Sequence, residues 1–298
     1  MTTPETAIRS GQEPVTRSRL VADLHALGVR AGGVLMVHTR LSALGWVVGG
    51  SGTVVLALLD ALRSDGTLMA YAGWEDDPFG IAAMPEAWRA AYEADLPAFD
   101  PATSEAVREH GRLPERIRTW PGAQRSRHPE ANIVALGARA AWVTTDHPWD
   151  DPYGAESPLA KLVAADGQVL MVGAPLDTLT LLHHAEATAH VAHKRRVTYR
   201  MPIREHGRTV LRKFRDMDTS RGAFDYDRIA TEIEAVPGLH PGEEAFAAIA
   251  RLALAAGIGR SGTIGAGESF LFPAADLHQF AESWLERQFA ADDMETAH

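Results

Sequence analysis

The sequence predicts an α/β protein, a single α/β/α layered domain with a mixed central sheet. Three observations lead there. Short apolar runs at 34–37, 66–71, 132–136 and 168–172 have the length of buried strands, and helical apolar spacing recurs between and after them. Two further runs, Val197 to Ile203 and Thr209 to Phe214, flank a Glu-His-Gly-Arg turn and read as a hairpin, so the sheet is not wholly parallel. No repeat, low-complexity tract or linker interrupts a chain of 298 residues that is 46% hydrophobic, enough for one sizeable core.

Met1 to Thr16 is polar and lacks the apolar stretch of a secretory signal, so 1–16 reads as a frayed leader, 17–290 as the domain and 291–298 as a tail. Leu20, Val21, Leu24 and Leu27 place one apolar stripe on a helix from Arg17 to Leu27, with Gly28 where it ends. After the first strand, His38, Thr39, Ser42 and Gly45 fall in a loop, and a glycine-rich stretch at 49–52 leads to a helix from Val54 to Leu62 capped by Ser51 or Thr53. The second strand runs into Trp74 and three successive carboxylates. A helix at Glu86–Asp95 follows, Pro97 and Pro101 break regularity, and a short helix spans Arg112–Trp120. Ser157 caps a helix that starts at Pro158. Beyond the strand at 168–172, Thr178 to Ala192 reads as one long helix. The hairpin, helices at Tyr226–Ala235, Glu243–Ala255 and Asp276–Phe289, and a short strand near Ser269–Phe272 complete the pattern.

Composition narrows the chemistry. With no cysteine, disulfides, thiolate metal sites and a cysteine nucleophile are excluded, leaving His, Asp, Glu, Ser, Thr and Tyr. A formal charge of −10 argues against nucleic acid and suits either plain solubility or a polycationic ligand. No apolar run approaches the roughly 20 residues that span a bilayer, so a cytoplasmic protein without a membrane partner is expected.

The most informative segment is Thr180 to Ala187. On a helix His183 and Glu186 share a face just past the end of a buried strand, where open α/β proteins place ligands. An imidazole there can accept a proton from an attacking ammonium, with the carboxylate orienting it; the plain alternative is a helix-surface ion pair. His183, Glu186 and His190 also form one stripe, with His193 a turn on, but the rise of ~1.5 Å per residue spreads the outer groups over ~10 Å, too far for one ion. No metal is therefore expected. The loop with His38, Thr39, Ser42 and Gly45 offers hydroxyls and bare N–H groups in front of a helix, which suits phosphate oxygens or an ordinary glycine turn. Arg125, Ser126 and His128 form a basic, polar loop able to meet an anionic cofactor or only solvent. Trp74, Asp76 and Asp77, with Asp216 and Asp218, are of the types that grip polyamine sugars, though each alone reads as a turn.

Together these blocks resemble the aminoglycoside 3-N-acetyltransferase family, over about Arg17 to Phe289. The blocks are Gly33–Gly45, Gly66–Tyr71, Phe99–Thr103, Arg125–Pro129, Glu156–Pro158 and, most specific, Gly167–Pro175 continuing through Glu186. The resemblance implies an α/β/α fold distinct from GCN5-type acetyltransferases, with acetyl-CoA and an aminoglycoside antibiotic in one cleft. It implies that His183 is catalytic with Glu186 beside it, that His38, Thr39, Ser42, Gly45, Arg125, Ser126 and His128 belong to the coenzyme site, and that Tyr71, Trp74, Asp76, Asp77, Asp216 and Asp218 bind the drug. Thr39 and Arg40 stand where relatives often carry two small residues, and Tyr71–Trp74 departs from the Pro-Ser-Trp form of some subgroups, which bears on drug spectrum. Alternatives are an acetyltransferase of this fold acting on another amine, a ligand-binding protein that has lost catalysis, and a zinc hydrolase.

Overall fold

A computed structural model describes residues 4–9, 11 and 13–289. Among the described residues nine strands form two sheets: β1 (Val34–Thr39), β2 (Thr67–Tyr71), β3 (Gln124–Arg125), β4 (Ile133–Gly137), β5 (Gln168–Val172), β6 (Arg196–Glu205), β7 (Arg208–Met217), β8 (Arg260–Ile264) and β9 (Gly267–Pro273). The large sheet has the order β3-β4-β2-β1-β5-β9-β8, and β6 and β7 form the small one. β1 pairs in parallel with β2 and with β5, while β4, β3, β9 and β8 add antiparallel strands on both sides. The mixed sheet is thus parallel only at its centre.

The pleat sorts the central strands into two cores. Val34, Met36, Met69, Val169 and Met171 face one side, where the helices Pro158–Ala164, Leu181–Thr188, Ala245–Ala255 and Ala274–Phe289 pack. Leu35, Val37, Leu68, Leu170 and Val172 face the other, against Arg17–Leu27, Gly50–Leu62 and Arg112–Arg118. Unbroken apolar runs in β1, β2 and β5 are what burial on both faces requires. Truncating one of these side chains to Ala is worth roughly 2–5 kcal/mol. Three layers around one sheet make a single α/β domain, and no helix among the described residues is long and apolar enough to cross a membrane.

Local signals act where they were expected. Gly28 ends the helix Arg17–Leu27 at φ 108°, and Ser157 accepts from the Ala160 N–H at the start of Pro158–Ala164; the Thr16 cap of the first of these helices was not foreseen. The hairpin turn falls at His206 and Gly207, both at positive φ, the twist that a two-residue turn between right-twisted strands needs. Within the stretch read as a leader, Pro4–Arg9 is helical, and Val15 is buried and bonded through its backbone to Trp46 and Val48. The segment read as a tail lies outside the described residues.

Other expectations are corrected. The helix before Leu62 begins at Gly50 behind Gly49, with no side-chain cap from Ser51 or Thr53. The helix expected over Thr178–Ala192 is a 3-10 turn, Leu176–Thr178, and then only Leu181–Thr188. The Thr188 hydroxyl turns back onto the His184 carbonyl at 2.9 Å, and the His190 N–H is taken by Glu286 at 2.8 Å, so contacts with the C-terminal helix end it. β3, β8 and the helix Ala140–Thr144 were absent from the sequence reading: β3 is two residues long, and β8 contains Gly262 and only one buried apolar side chain.

Candidate active site

β5 ends at Gly173, whose φ of 59° and closeness to Ala43, 2.2 Å from an added Cβ, leave room for no side chain. The chain turns through Pro175 and enters the helix Leu181–Thr188, driven home by the buried Leu181, Leu182 and Ala185. That burial leaves His183 at the cavity wall with Glu186 packed beneath it. Glu186 is fully buried; its Oε2 receives His183 Nδ1 at 2.7 Å, and its Oε1 accepts from the Tyr226 hydroxyl at 2.7 Å and the Ala223 N–H at 3.2 Å. A carboxylate accepts, so the His183 Nδ1 in this contact carries a proton and Nε2 is the ring nitrogen turned away from Glu186. The ring is held between Tyr153, 5.2 Å away, and Phe246, at 4.8 Å, and it lines a cavity of about 640 Å³.

The cavity lies at the carboxyl ends of β1, β2 and β5. His38, Thr39 and Ser42 line it, with Arg40, His110, Arg112 and Thr178 around them. Burial, reinforced by His110, pushes the His38 imidazole down to about 3, so it is neutral. Its Nε2 and the Thr39 Oγ1 are buried without hydrogen-bond partners. Arg40 and Arg112 are exposed at this cavity and enter no ion pair among the described residues. A wall with two unspent cations, hydroxyls and imidazoles fits a ligand bearing phosphates and amides.

Beside His183 lies an acidic recess. The Tyr71 and Tyr153 hydroxyls meet each other at 3.3 Å and both reach Glu130, at 3.3 Å for Tyr71 and at 3.2 Å for Tyr153. Burial, with Asp216 and Asp77 nearby, pushes the Glu130 carboxyl up to about 8. Burial likewise carries Asp216 to about 7, against a hydrogen bond from its neighbour's N–H. Asp216 and Asp77, close enough to raise Glu130, form with it a site for positive charge. Asp216 comes from the hairpin, where Tyr199 bonds it at 3.4 Å, so the small sheet supplies one wall.

Several expected residues are elsewhere. Arg125 binds Asn132 Oδ1 at 2.7 Å and the carbonyls of Ser104 and Gly73, and lies over the Phe99 ring at 4.8 Å. Ser126 and His128 are fully buried: Ser126 accepts from Ile133 N–H and pairs with His147, while His128 accepts from Ala131 N–H and donates to the Trp149 carbonyl. None of the three lines the cavity; backbone groups left unpaired in this non-helical stretch consume the polar side chains. Gly45 lines a separate, smaller cleft with Trp46, Gly49 and Gly50. Trp74 is buried against Phe99, with ring centres 5.6 Å apart. Asp76 is exposed, and Asp77 accepts from the Phe79 N–H at 2.6 Å while facing Glu130. Asp218 closes a turn, accepting from Ser220 and Arg221 N–H groups. Glu130 stands one residue past the Arg125–Pro129 block and was missed, as were Tyr153, Tyr226, His110 and Arg112; none has a local pattern that marks it.

A histidine-carboxylate pair opening on a large cleft at the carboxyl edge of an α/β sheet, flanked by an acidic recess, is the layout of an enzyme's active site. The comparisons agree. The family model described as aminoglycoside 3-N-acetyltransferase matches residues 36–286. Aminoglycoside N(3)-acetyltransferase VIII of Streptomyces fradiae is 55% identical over 92% of each chain. Among solved structures, aminoglycoside acetyltransferase AAC(3)-Xa superposes with a TM-score of 0.89 at 50% identity, covering 97% of this chain and 98% of that one. AAC-IIIb in a binary complex with CoASH gives 0.82 at 43%, covering 93% and 98%. The chain belongs to the aminoglycoside 3-N-acetyltransferase family.

Proposed function

We propose that the chain transfers an acetyl group from acetyl-CoA to the 3-amino group of the 2-deoxystreptamine ring of aminoglycosides, and thereby confers resistance to them. The observation that carries the reading is the 2.7 Å contact between His183 Nδ1 and Glu186 in the cavity wall. In this reading Arg40, Arg112 and Ser42 hold the anionic and polar parts of the coenzyme. When bound, acetyl-CoA supplies the acyl thioester. Glu130, Asp216 and Asp77 pair with the drug's other ammonium groups and place the reacting one.

His183 Nε2 takes one proton of the 3-ammonium, whose nitrogen bonds to the acetyl carbon as the carbon–sulfur bond breaks, and the proton the new amide nitrogen then sheds goes to the departing thiolate, releasing CoA as the thiol. Glu186 keeps the ring in one tautomer and stabilises the imidazolium that forms. Direct transfer needs no acyl-enzyme, in keeping with a chain that has no cysteine.

The test is thiol release from acetyl-CoA with a panel of aminoglycosides, with the acetylated nitrogen located in the product by NMR. No release with any 2-deoxystreptamine drug overturns the substrate. His183→Ala should lower kcat by ~10²- to 10⁴-fold and leave coenzyme affinity unchanged; near wild-type turnover removes His183 from the mechanism.

A further inference from the structure

The hairpin carries a charge that the proposed reaction does not use. Nine of the 29 Lys and Arg residues lie between Lys194 and Arg215, with a single acid, Glu205, in a chain of net charge −10. On its outer face Arg200 stands directly opposite Lys213, and Thr198 opposite Arg215. Arg196, Arg200, Lys213 and Arg215 are exposed, and no carboxylate of the described residues is in ion-pair reach of them. Like charges facing each other across a β-ladder destabilise it. A polycationic drug would be repelled by this face, so it serves something else. Leu211, on the same face and 37% exposed, adds apolar surface next to the charges.

A complementary surface lies next door. The helix Glu86–Asp95 has no buried residue, leaves Trp88 62% exposed, and carries Glu86, Glu93 and Asp95 against one base, Arg89. It leads straight into Phe99, whose N–H bonds the Pro202 carbonyl on β6 at 2.9 Å, so helix and hairpin are neighbours in one molecule.

We infer that the basic outer face of the β6–β7 hairpin and the acidic, Trp88-bearing helix Glu86–Asp95 form a self-complementary surface that pairs two copies of this chain about a two-fold axis. Each hairpin meets the partner's helix, and each helix the partner's hairpin. Adjacency of the two patches lets one rotation close both contacts, as an isologous interface requires. A buried tryptophan with arginines around it is the composition of an interface centre. A phosphate backbone would match the charges and leave Trp88 and Leu211 without a role.

Sedimentation velocity of the full chain tests this. A concentration-dependent dimer is expected at low salt, with its dissociation constant rising at least ~10-fold at high salt, where surface charges are screened. Reversing the hairpin (Arg200→Glu with Lys213→Glu) or the helix (Glu86→Lys, Glu93→Lys and Asp95→Lys) should each give a monomer that still releases CoA, and an equimolar mixture of the two should restore a dimer. Should the doubly reversed hairpin not fold, Arg200→Gln with Lys213→Gln should still weaken the dimer. A wild type that stays monomeric at every concentration, reversed variants that still dimerise, or a mixture that does not pair overturns the proposal. So does an RNA oligonucleotide that binds a monomeric wild type and is lost on hairpin reversal.

Discussion

Two polar segments look alike as sequence: His38–Ser42, whose His38 and Thr39 are the last residues of β1 rather than loop, and Arg125–His128, which begins in β3, each mix Arg, His and a hydroxyl. In the fold they do opposite things. The first lines the cavity with His38 Nε2 and Thr39 Oγ1 unpartnered and Arg40 exposed. The second turns inward, and Arg125, Ser126 and His128 spend their hydrogen bonds on Gly73, Ser104, Ile133, Ala131 and Trp149. Only its next acid, Glu130, reaches the site. A polar loop becomes a binding loop when its backbone groups are satisfied elsewhere; Arg40, for instance, already donates its N–H to Val172.

The largest effect that would break this contrast is expected at Arg125. Arg125→Ala leaves buried acceptors at Ser104, Gly73 and Asn132 unmet, and should cost roughly 3 kcal/mol of stability. Denaturant titration measures that loss, and the KM for acetyl-CoA should hardly move. A normal denaturation midpoint with collapsed coenzyme affinity would return the inner loop to the binding site.

Arg40→Ala is the mirror experiment. It should raise the KM for acetyl-CoA by ~10-fold through loss of a charge-assisted contact, with stability changed by less than ~0.5 kcal/mol. Equal effects from both arginines would erase the distinction.

The smallest effect sharpens the role of Glu130. Its folded carboxyl, at about 8, holds a proton that the unfolded chain releases near 4.5. Stability from this group is therefore present at low pH and lost as pH rises from about 4.5 to about 8. Glu130→Gln should flatten that decline, raising Tm at pH 8.5 while leaving it nearly unchanged at pH 4.5. Thermal scans whose pH slope matches wild type would show that the carboxyl is not the buried acid the recess contains. Polycation affinity should climb through the same window as the carboxylates ionise, and fall with the substitution.

Much of this was legible because it is local. The two-residue alternation across β1, β2 and β5 sorts side chains onto two faces, the three-residue spacing of His183 and Glu186 brings them together on any helix, and His206–Gly207 fixes the hairpin. What was misread depended on partners distant in sequence. The direction of β4 and the presence of β8 follow from pairing with β2 and β9. The helix stops at Thr188 because Glu286 takes the next free N–H, which removes His190 from the stripe it shared with His183.

The sequence by itself determined the strands that are buried on both faces and the pairing of His183 with Glu186, because both are periodicities of a few residues. Tertiary structure alone decided which acids gather behind the Tyr71 and Tyr153 hydroxyls. Glu130, Asp77 and Asp216 come from three separate segments, and their proximity and raised affinity for protons arise only when chain pairing removes them from water. Solvation and distance are properties of the folded assembly, and no short stretch of residues encodes them.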